Sequence, residues 1–108
     1  MKNRDQVIRK HVLFAMANSD EDFATIVSEV TKFASEEGIA VDRQTILEKL
    51  GEVIKEGYAQ ALAVSPERPN IAKPTEFSPE RVEDLWFYVT PKGKKLVDQL
   101  TAEDSPIS

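Results

Sequence analysis

The chain has 108 residues, of which 41% are hydrophobic and 31% are charged, and these values predict one compact domain with its own core. The absence of cysteine excludes disulfides, thiolate metal sites and thiol nucleophiles, and it agrees with a cytoplasmic location. The net charge of −5 disfavours nucleic acid and anionic membranes as partners unless the cations gather on one face. No apolar run is long enough to span a membrane, and the first residues do not resemble a signal peptide, so we expect a cytoplasmic protein.

Three helices are predicted in the first half of the chain. Residues 4–17, 21–37 and 43–56 each place apolar side chains at the spacing of one helix face. The end of the first helix, residues 13–17, is apolar nearly all round, so it must be buried within the fold or against a partner. The second alternative motivates the expectation of a homodimer.

Residues with favoured capping properties mark the ends of these helices. Ser19 or Asp20 is expected to cap the second helix, and Asp42 the third. Gly38 and Gly57 stand where the second and third helices should end, because glycine readily adopts the left-handed C-terminal cap.

Two strands follow, at residues 58–64 and 85–90. In the first, larger side chains alternate with three alanines, and in the second Leu85, Phe87 and Val89 alternate with Trp86 and Tyr88. Trp86 and Tyr88 are expected on the outer face of the second strand, above the three small alanines of the first strand. Large aromatic side chains on such a floor suit a partner surface or a small-ligand shelf. The alternative is that the first helix or the loop between the strands covers them.

The two strands are separated by residues 65–84, which hold four of the six prolines and predict a long loop. Ser-Pro-Glu-Arg occurs in it twice, at 65–68 and 78–81, and each copy can begin a helical turn. Thr90-Pro91 gives the same signal and predicts a last short helix, followed by a frayed tail at 101–108.

This order of elements is that of a winged helix-turn-helix domain, and two segments sharpen the resemblance. Residues 43–50 (RQTILEKL) with 53–58 (VIKEGY) resemble the recognition helix and first wing strand of bacterial winged-helix regulators. Residues 86–96 (WFYVTPKGKKL) resemble their second wing strand and the turn into the final helix. The resemblance covers about residues 20–100, and PadR-like and MarR-like regulators are the nearest families.

The resemblance implies a fold that is mainly α with a small antiparallel β-sheet. A single winged-helix domain would occupy residues 1–100, with 65–84 as a long wing loop, and 101–108 would form a flexible C-terminal tail.

The resemblance also implies a transcriptional regulator that binds duplex DNA as a homodimer. In those families the third helix enters the major groove and the wing contacts the backbone. Carried over by position, the DNA-binding residues are Arg43, Gln44, Thr45 and Lys49 of the third helix and Arg68, Lys73 and Arg81 of the wing.

The charges favour an alternative, in which an acidic winged-helix module binds a protein partner and not DNA. Glu48 and Glu52 fall on the face of the third helix opposite its buried stripe, where DNA would lie. The wing carries three cations against five anions. In this alternative a partner occupies the surface around Trp86 and Tyr88.

Neither a catalytic site nor a cofactor is predicted, so we do not expect an enzyme. His11 lies on the apolar stripe of the first helix and is expected to be packed and hydrogen-bonded. We expect no metal site, because no second imidazole or thiolate exists to join this histidine. The acidic run 20–22 is explained by the helix that starts there.

Overall fold

The computed structural model describes residues 4–17, 20–64 and 72–104. It confirms a mainly helical chain with a small antiparallel sheet. The elements are α1 (Arg4–Ala15), β1 (Glu21–Asp22), α2 (Phe23–Glu36), α3 (Arg43–Lys55), β2 (Ala59–Val64), β3 (Ala72–Thr75), the 3₁₀ helix η1 (Pro79–Asp84), β4 (Leu85–Val89) and α4 (Pro91–Asp104).

The N-terminal caps of α2 and α3 are aspartates, and that of α2 is at a position other than the predicted one. Asp42 caps α3 as predicted, and its carboxylate accepts a hydrogen bond of 2.8 Å from the backbone N–H of Thr45. Asp22 caps α2 through an equivalent bond of 2.9 Å, so the prediction of Asp20 is wrong. The reason is that β1 pairs with β4, which keeps the chain extended for two more residues. Ser19 lies outside the described residues.

The predicted glycine caps at the helix C-termini are confirmed. Gly38 has a φ of +77° and Gly57 a φ of +86°, which are left-handed values that glycine adopts without steric cost. Each glycine therefore lets the chain turn sharply as the helix ends.

The sheet has the strand order β1-β4-β2-β3, and all neighbouring strands are antiparallel. The predicted loop at 65–84 contains β3, in which Pro74 pairs with Leu62, and η1, which begins after Ser78. Proline hides the strand signal in the sequence but is tolerated here, because β3 is an edge strand. The first Ser-Pro-Glu-Arg, at 65–68, lies outside the described residues.

The register of β2 against β4 reverses the expected place of the alanines. Ala61 lies opposite Phe87, and both side chains are fully buried on the inner face of the sheet. Trp86 lies opposite Leu62 on the outer face. The expectation that Trp86 and Tyr88 cover the three alanines is therefore wrong. Small side chains are needed on the inner face, because bulky residues of β4 and the helices already fill the space there.

The core lies between the inner face of the sheet and helices α1, α2 and α3. Its fully buried members include Ile8, Val12, Ile26, Val30, Ile46, Leu50, Val53 and Phe87. The apolar end of α1 belongs to this core, since Leu13 and Met16 are each 1% exposed. That end is buried within the chain and so gives no argument for a homodimer.

His11 is packed and hydrogen-bonded, as predicted. Its ring is buried in α1, its Nε2 atom contacts the carboxylate of Glu37, and Phe33 stacks on it at 5.9 Å between ring centroids. Phe33 itself is 39% exposed, although the sequence places it on the buried stripe of α2. It lies at the edge of that stripe, and the imidazole covers only one side of its ring.

The start of α4 is fastened to the turn between α3 and β2. The hydroxyl of Thr90 donates to the carbonyl oxygen of Gly57 at 2.6 Å and accepts from the backbone N–H of Gly93 at 3.1 Å. The Thr90-Pro91 signal is thus confirmed as a helix start. The helix continues to Asp104, so residues 101–104 are helical where a frayed tail was predicted, and 105–108 lie outside the described residues.

None of the helices in these ranges has the length and apolar character needed to cross a membrane.

Candidate interaction surfaces

The outward face of α3 is narrow and of mixed charge. Its exposed residues are Arg43, Gln44, Glu48 and Lys55. The amide of Gln44 lies 3.5 Å from the carboxylate of Glu48, at the limit of a hydrogen bond. The prediction that Glu48 occupies this face is confirmed.

Arg43 is held against two other elements. Its guanidinium lies 3.1 Å from the Glu83 carboxylate of η1 and 4.9 Å from the ring centroid of Phe23 in α2. Stacking on Phe23 gives the guanidinium a defined position, whereas its pair with Glu83 is exposed to solvent and therefore contributes little.

Lys49 points towards α1 and not towards the outward face. Its side chain is only 12% exposed, and its ammonium group lies 2.9 Å from Glu52 and 3.6 Å from Asp5. The hydrogen bond that Lys49 donates to the Glu52 carboxylate raises the pKa of Lys49 above its ordinary value, and the charges of Glu52 and Asp5 act in the same direction against desolvation. The lysine therefore stays charged, but it is used inside the molecule.

Glu52 is likewise turned towards α1, which corrects the expectation that it lies in the middle of the exposed face. Besides Lys49, its carboxylate lies 3.8 Å from Arg9 of α1, and Arg9 also pairs with Glu56. These contacts form an ion-pair network that joins α1 to α3. The negative charge on the outward face of α3 thus comes mainly from Glu48.

Thr45 belongs to the cap of α3. It is half-buried, and its hydroxyl and backbone N–H hold the pKa of Asp42 below its ordinary value. Its position at the helix start follows from this cap, so the residue has a structural role that is independent of any ligand.

The wing cations are scattered among acidic residues. Lys73 is exposed on β3, opposite Ala63 of β2, and Arg81 is exposed in η1. Arg68 lies outside the described residues. Among the described residues, neither the Lys73 nor the Arg81 side chain makes a hydrogen bond or an ion pair with α3.

The segment after β3 crosses one side of α3. Phe77 packs on Gly51, where an added methyl group would lie 3.4 Å from the Phe77 ring. The Phe77 ring also packs edge-on against Phe87 of the core, at 6.1 Å between centroids. This segment and η1 carry the exposed acids Glu76, Glu80, Glu83 and Asp84. The wing therefore places more negative than positive charge beside α3.

The outer face of the sheet carries a second candidate surface. Trp86 is 41% exposed and, with Phe33, is one of two large hydrophobic side chains that are exposed in the described ranges. We define the outer sheet surface as the five residues on this face of the sheet: Trp86, Tyr88, Leu62, Pro74 and Gln60. Cross-strand pairing places them on one face, because directly opposite residues in an antiparallel pair point the same way.

Acidic residues surround the outer sheet surface. Asp22 lies opposite Trp86 in the pairing of β1 with β4, and Asp84 stands at the end of η1, two residues before Trp86. Glu76 lines a shallow depression together with Pro74 and Gln60. The surface is therefore aromatic at its centre and negatively charged at its rim.

The sequence predicts the exposure of Trp86, but it does not predict the ion pairs that join α3 to η1 and α1. The pairs of Arg43 with Glu83 and of Lys49 with Asp5 join residues about 40 positions apart, and no local pattern signals them. One signal was available for Phe77, since Gly51 in the interior of a helix indicates a close neighbour.

Within the described ranges, no group of three or more histidine, aspartate or glutamate side chains is placed to bind a metal ion.

Comparisons with protein-family models, with curated proteins and with solved structures found no match to this chain.

Proposed function

We propose that this chain is an acidic winged-helix module that binds a protein partner through its outer sheet surface, and that α3 does not bind duplex DNA. The winged-helix assignment is supported by the order of elements and by the two-residue β1, which pairs with β4 beside β2. In such domains the third helix precedes a β-hairpin, as α3 precedes β2 and β3 here.

The observation that carries the proposal is the inward orientation of Lys49 together with the acidic residues that lie beside α3. Arg43 contacts Glu83, and Lys49 contacts both Glu52 and Asp5. DNA binding requires cations that are free to replace the counterions of phosphates. Two of the three α3 cations are engaged with carboxylates, and Glu48 adds negative charge to the same face.

The character of the outer sheet surface defines the kind of partner. The exposed ring of Trp86 offers apolar area, and the rim of Asp22, Asp84 and Glu76 offers negative charge. Tryptophan is prominent at the centres of protein interfaces because it buries a large rigid area. Charge complementarity therefore commits the surface to a protein segment whose apolar side chain is flanked by lysine or arginine.

Selection from a displayed peptide library tests this assignment with the purified full chain as bait. We expect the enriched peptides to combine an apolar or aromatic residue with neighbouring basic residues. Trp86→Ala should weaken their binding by about tenfold or more, the usual effect of truncating a tryptophan at the centre of an interface. Phe33→Ala is the matched control, because it removes the other exposed aromatic side chain, on α2, and should leave binding unchanged.

Two results would contradict the proposal. One is enrichment of acidic peptides, and the other is equal binding of the enriched peptides by the Trp86→Ala variant. A circular dichroism melt of each variant establishes that it is folded before its binding is compared.

Duplex DNA binding by α3 is the second candidate, and one observation favours it. The Glu83 side chain is 79% exposed and that of Arg43 is 49% exposed, so their ion pair is screened by solvent. Exposed pairs contribute about 0–1 kcal/mol, which leaves a phosphate able to displace Glu83. DNA binding would then depend on Arg43 together with Gln44 and Lys55, and it would weaken steeply with salt.

A further inference from the structure

A cleft of about 360 Å³ opens between the start of α2, the start of α3 and η1. Its lining residues are Asp22, Phe23, Ala24, Val27, Arg43 and Glu83. The cleft is large enough for a small organic molecule, although it lies at the low end of the range for ligand sites.

The charged groups of the cleft are one guanidinium and two carboxylates. Arg43 is positioned by stacking on Phe23, 4.9 Å from the ring centroid, and the Glu83 carboxylate contacts the Arg43 guanidinium at 3.1 Å. Asp22 accepts a hydrogen bond from the backbone of Thr25 through one carboxylate oxygen, Oδ1. The sum of the three charges is −1, so a simple anion is disfavoured and a ligand that carries both charges suits the cleft.

Arg43 already holds one carboxylate, since its Nη2 donates a hydrogen bond of 3.1 Å to Oε1 of Glu83. A guanidinium can bind a carboxylate through two parallel hydrogen bonds, so the carboxylate of a ligand could replace this single contact. Because Glu83 is 79% exposed, it can swing aside at small cost. It then remains beside the cleft as an acceptor for an ammonium group.

The remaining wall of the cleft is apolar. Ala24 is exposed on the first turn of α2, and Val27 is half-buried one turn further along the same helix. These two side chains, with Phe23, can receive an aliphatic group adjacent to the charged groups.

We propose that this cleft binds a free apolar α-amino acid. The ligand carboxylate pairs with Arg43, its ammonium group pairs with Glu83, and its side chain lies on Ala24 and Val27. In an α-amino acid the carboxylate, the ammonium group and the side chain are all bonded to the Cα atom. The cleft presents a cation, an anion and an apolar wall within the span of one such molecule. This inference does not rest on the protein partner proposed for the outer sheet surface, although Asp22 borders both sites.

A ligand series measured by ¹H–¹⁵N NMR tests the proposal on the intact chain. L-leucine should shift the backbone amides of Ala24, Val27 and Arg43 in a saturable way at concentrations up to about 10 mM, the range of weak specific binding. N-acetyl-leucine lacks the ammonium charge, leucinamide lacks the carboxylate and glycine lacks the apolar side chain. Each should bind at least about tenfold more weakly, because a charged hydrogen-bonding group or a buried side chain is lost.

Substitutions locate the site. Arg43→Gln and Glu83→Gln should each weaken leucine binding by about tenfold. Arg81→Gln and Glu80→Gln are matched controls, because both residues belong to η1 and neither lines the cleft. The proposal is overturned if leucine causes no saturable shifts, if N-acetyl-leucine or leucinamide binds as well as leucine, or if Arg43→Gln binds leucine normally.

Discussion

The Asp22 carboxylate caps the start of α2, because it accepts a hydrogen bond from a backbone N–H group in the first turn. The hydroxyl and the backbone N–H of Thr25 lower the pKa of Asp22 below its ordinary value of 3.8. A lowered pKa in the folded state means that the stabilisation is present above the ordinary value. It is lost as the pH falls through the lower, folded value.

Two substitutions of Asp22 should distinguish the stabilisation due to the capping oxygen from that due to the negative charge. Asp22→Ala removes the cap and should lower the free energy of unfolding by about 1 kcal/mol at neutral pH. Asp22→Asn keeps a capping oxygen but no charge, so it should retain most of the stability and lose less stability than the wild type on acidification. Urea unfolding at about pH 6 and about pH 3 measures both effects. An unchanged acid dependence in Asp22→Asn would refute this role.

Individual residues differ in how well the neighbouring sequence predicts their role. Asp42, Gly38 and Gly57 are predictable, because a cap depends on the residues immediately around it. The capping role of Asp22 is not, since the pairing of β1 with β4 sets where α2 begins. The orientation of Lys49 also depends on a residue of another helix.

At the scale of elements, the junction between α4 and the turn after α3 depends on Gly93. A methyl group at this position would lie 2.0 Å from the carbonyl oxygen of Tyr58 and 2.6 Å from the side chain of Val89. Real atoms do not approach so closely, and one of the obstacles is backbone. The absence of a side chain at Gly93 is therefore what allows α4 to lie against this turn.

Gly93→Ala should accordingly lower the free energy of unfolding by about 1–3 kcal/mol, the usual cost of overpacking, although alanine is the better helix former. Lys94→Ala is the matched control at the next position, which is exposed, and should have little effect. Chemical denaturation of both variants gives the comparison. Equal stability of Gly93→Ala and the wild type would mean that α4 does not pack here as described.

Elements differ in how well their sequences reveal them. Helices α2 and α3 are predictable to within about two residues, because a long apolar stripe and a terminal glycine agree in each case. Strand β3 is not predictable, since it is four residues long, contains Pro74 and exists only as the partner of β2. The face of the β2 alanines was mistaken for a similar reason, because periodicity reveals two faces but not which one meets the core.

At the scale of the whole molecule, the sequence predicts a mainly helical chain with a small antiparallel sheet and the exposure of Trp86, but not the distribution of charge. The net charge of −5 is a property of composition, whereas the state of the α3 cations depends on Asp5 and Glu83, which are distant in sequence. The folded chain places both carboxylates beside α3. This arrangement is the basis for proposing a protein-binding module and not a DNA-binding domain.

The most direct test of whether α3 binds duplex DNA is a titration of fluorescently labelled mixed duplex DNA with the full chain, followed by fluorescence anisotropy. It should be run at about 50 and 200 mM salt, because binding through phosphates weakens steeply between these values. Because Lys49 is turned inward and acidic residues lie beside α3, we expect no saturable binding up to about 10 µM protein at either salt, the middle of the range of non-specific dissociation constants. Micromolar or tighter binding at the lower salt, weakened at the higher salt and lost in Arg43→Gln, would contradict it.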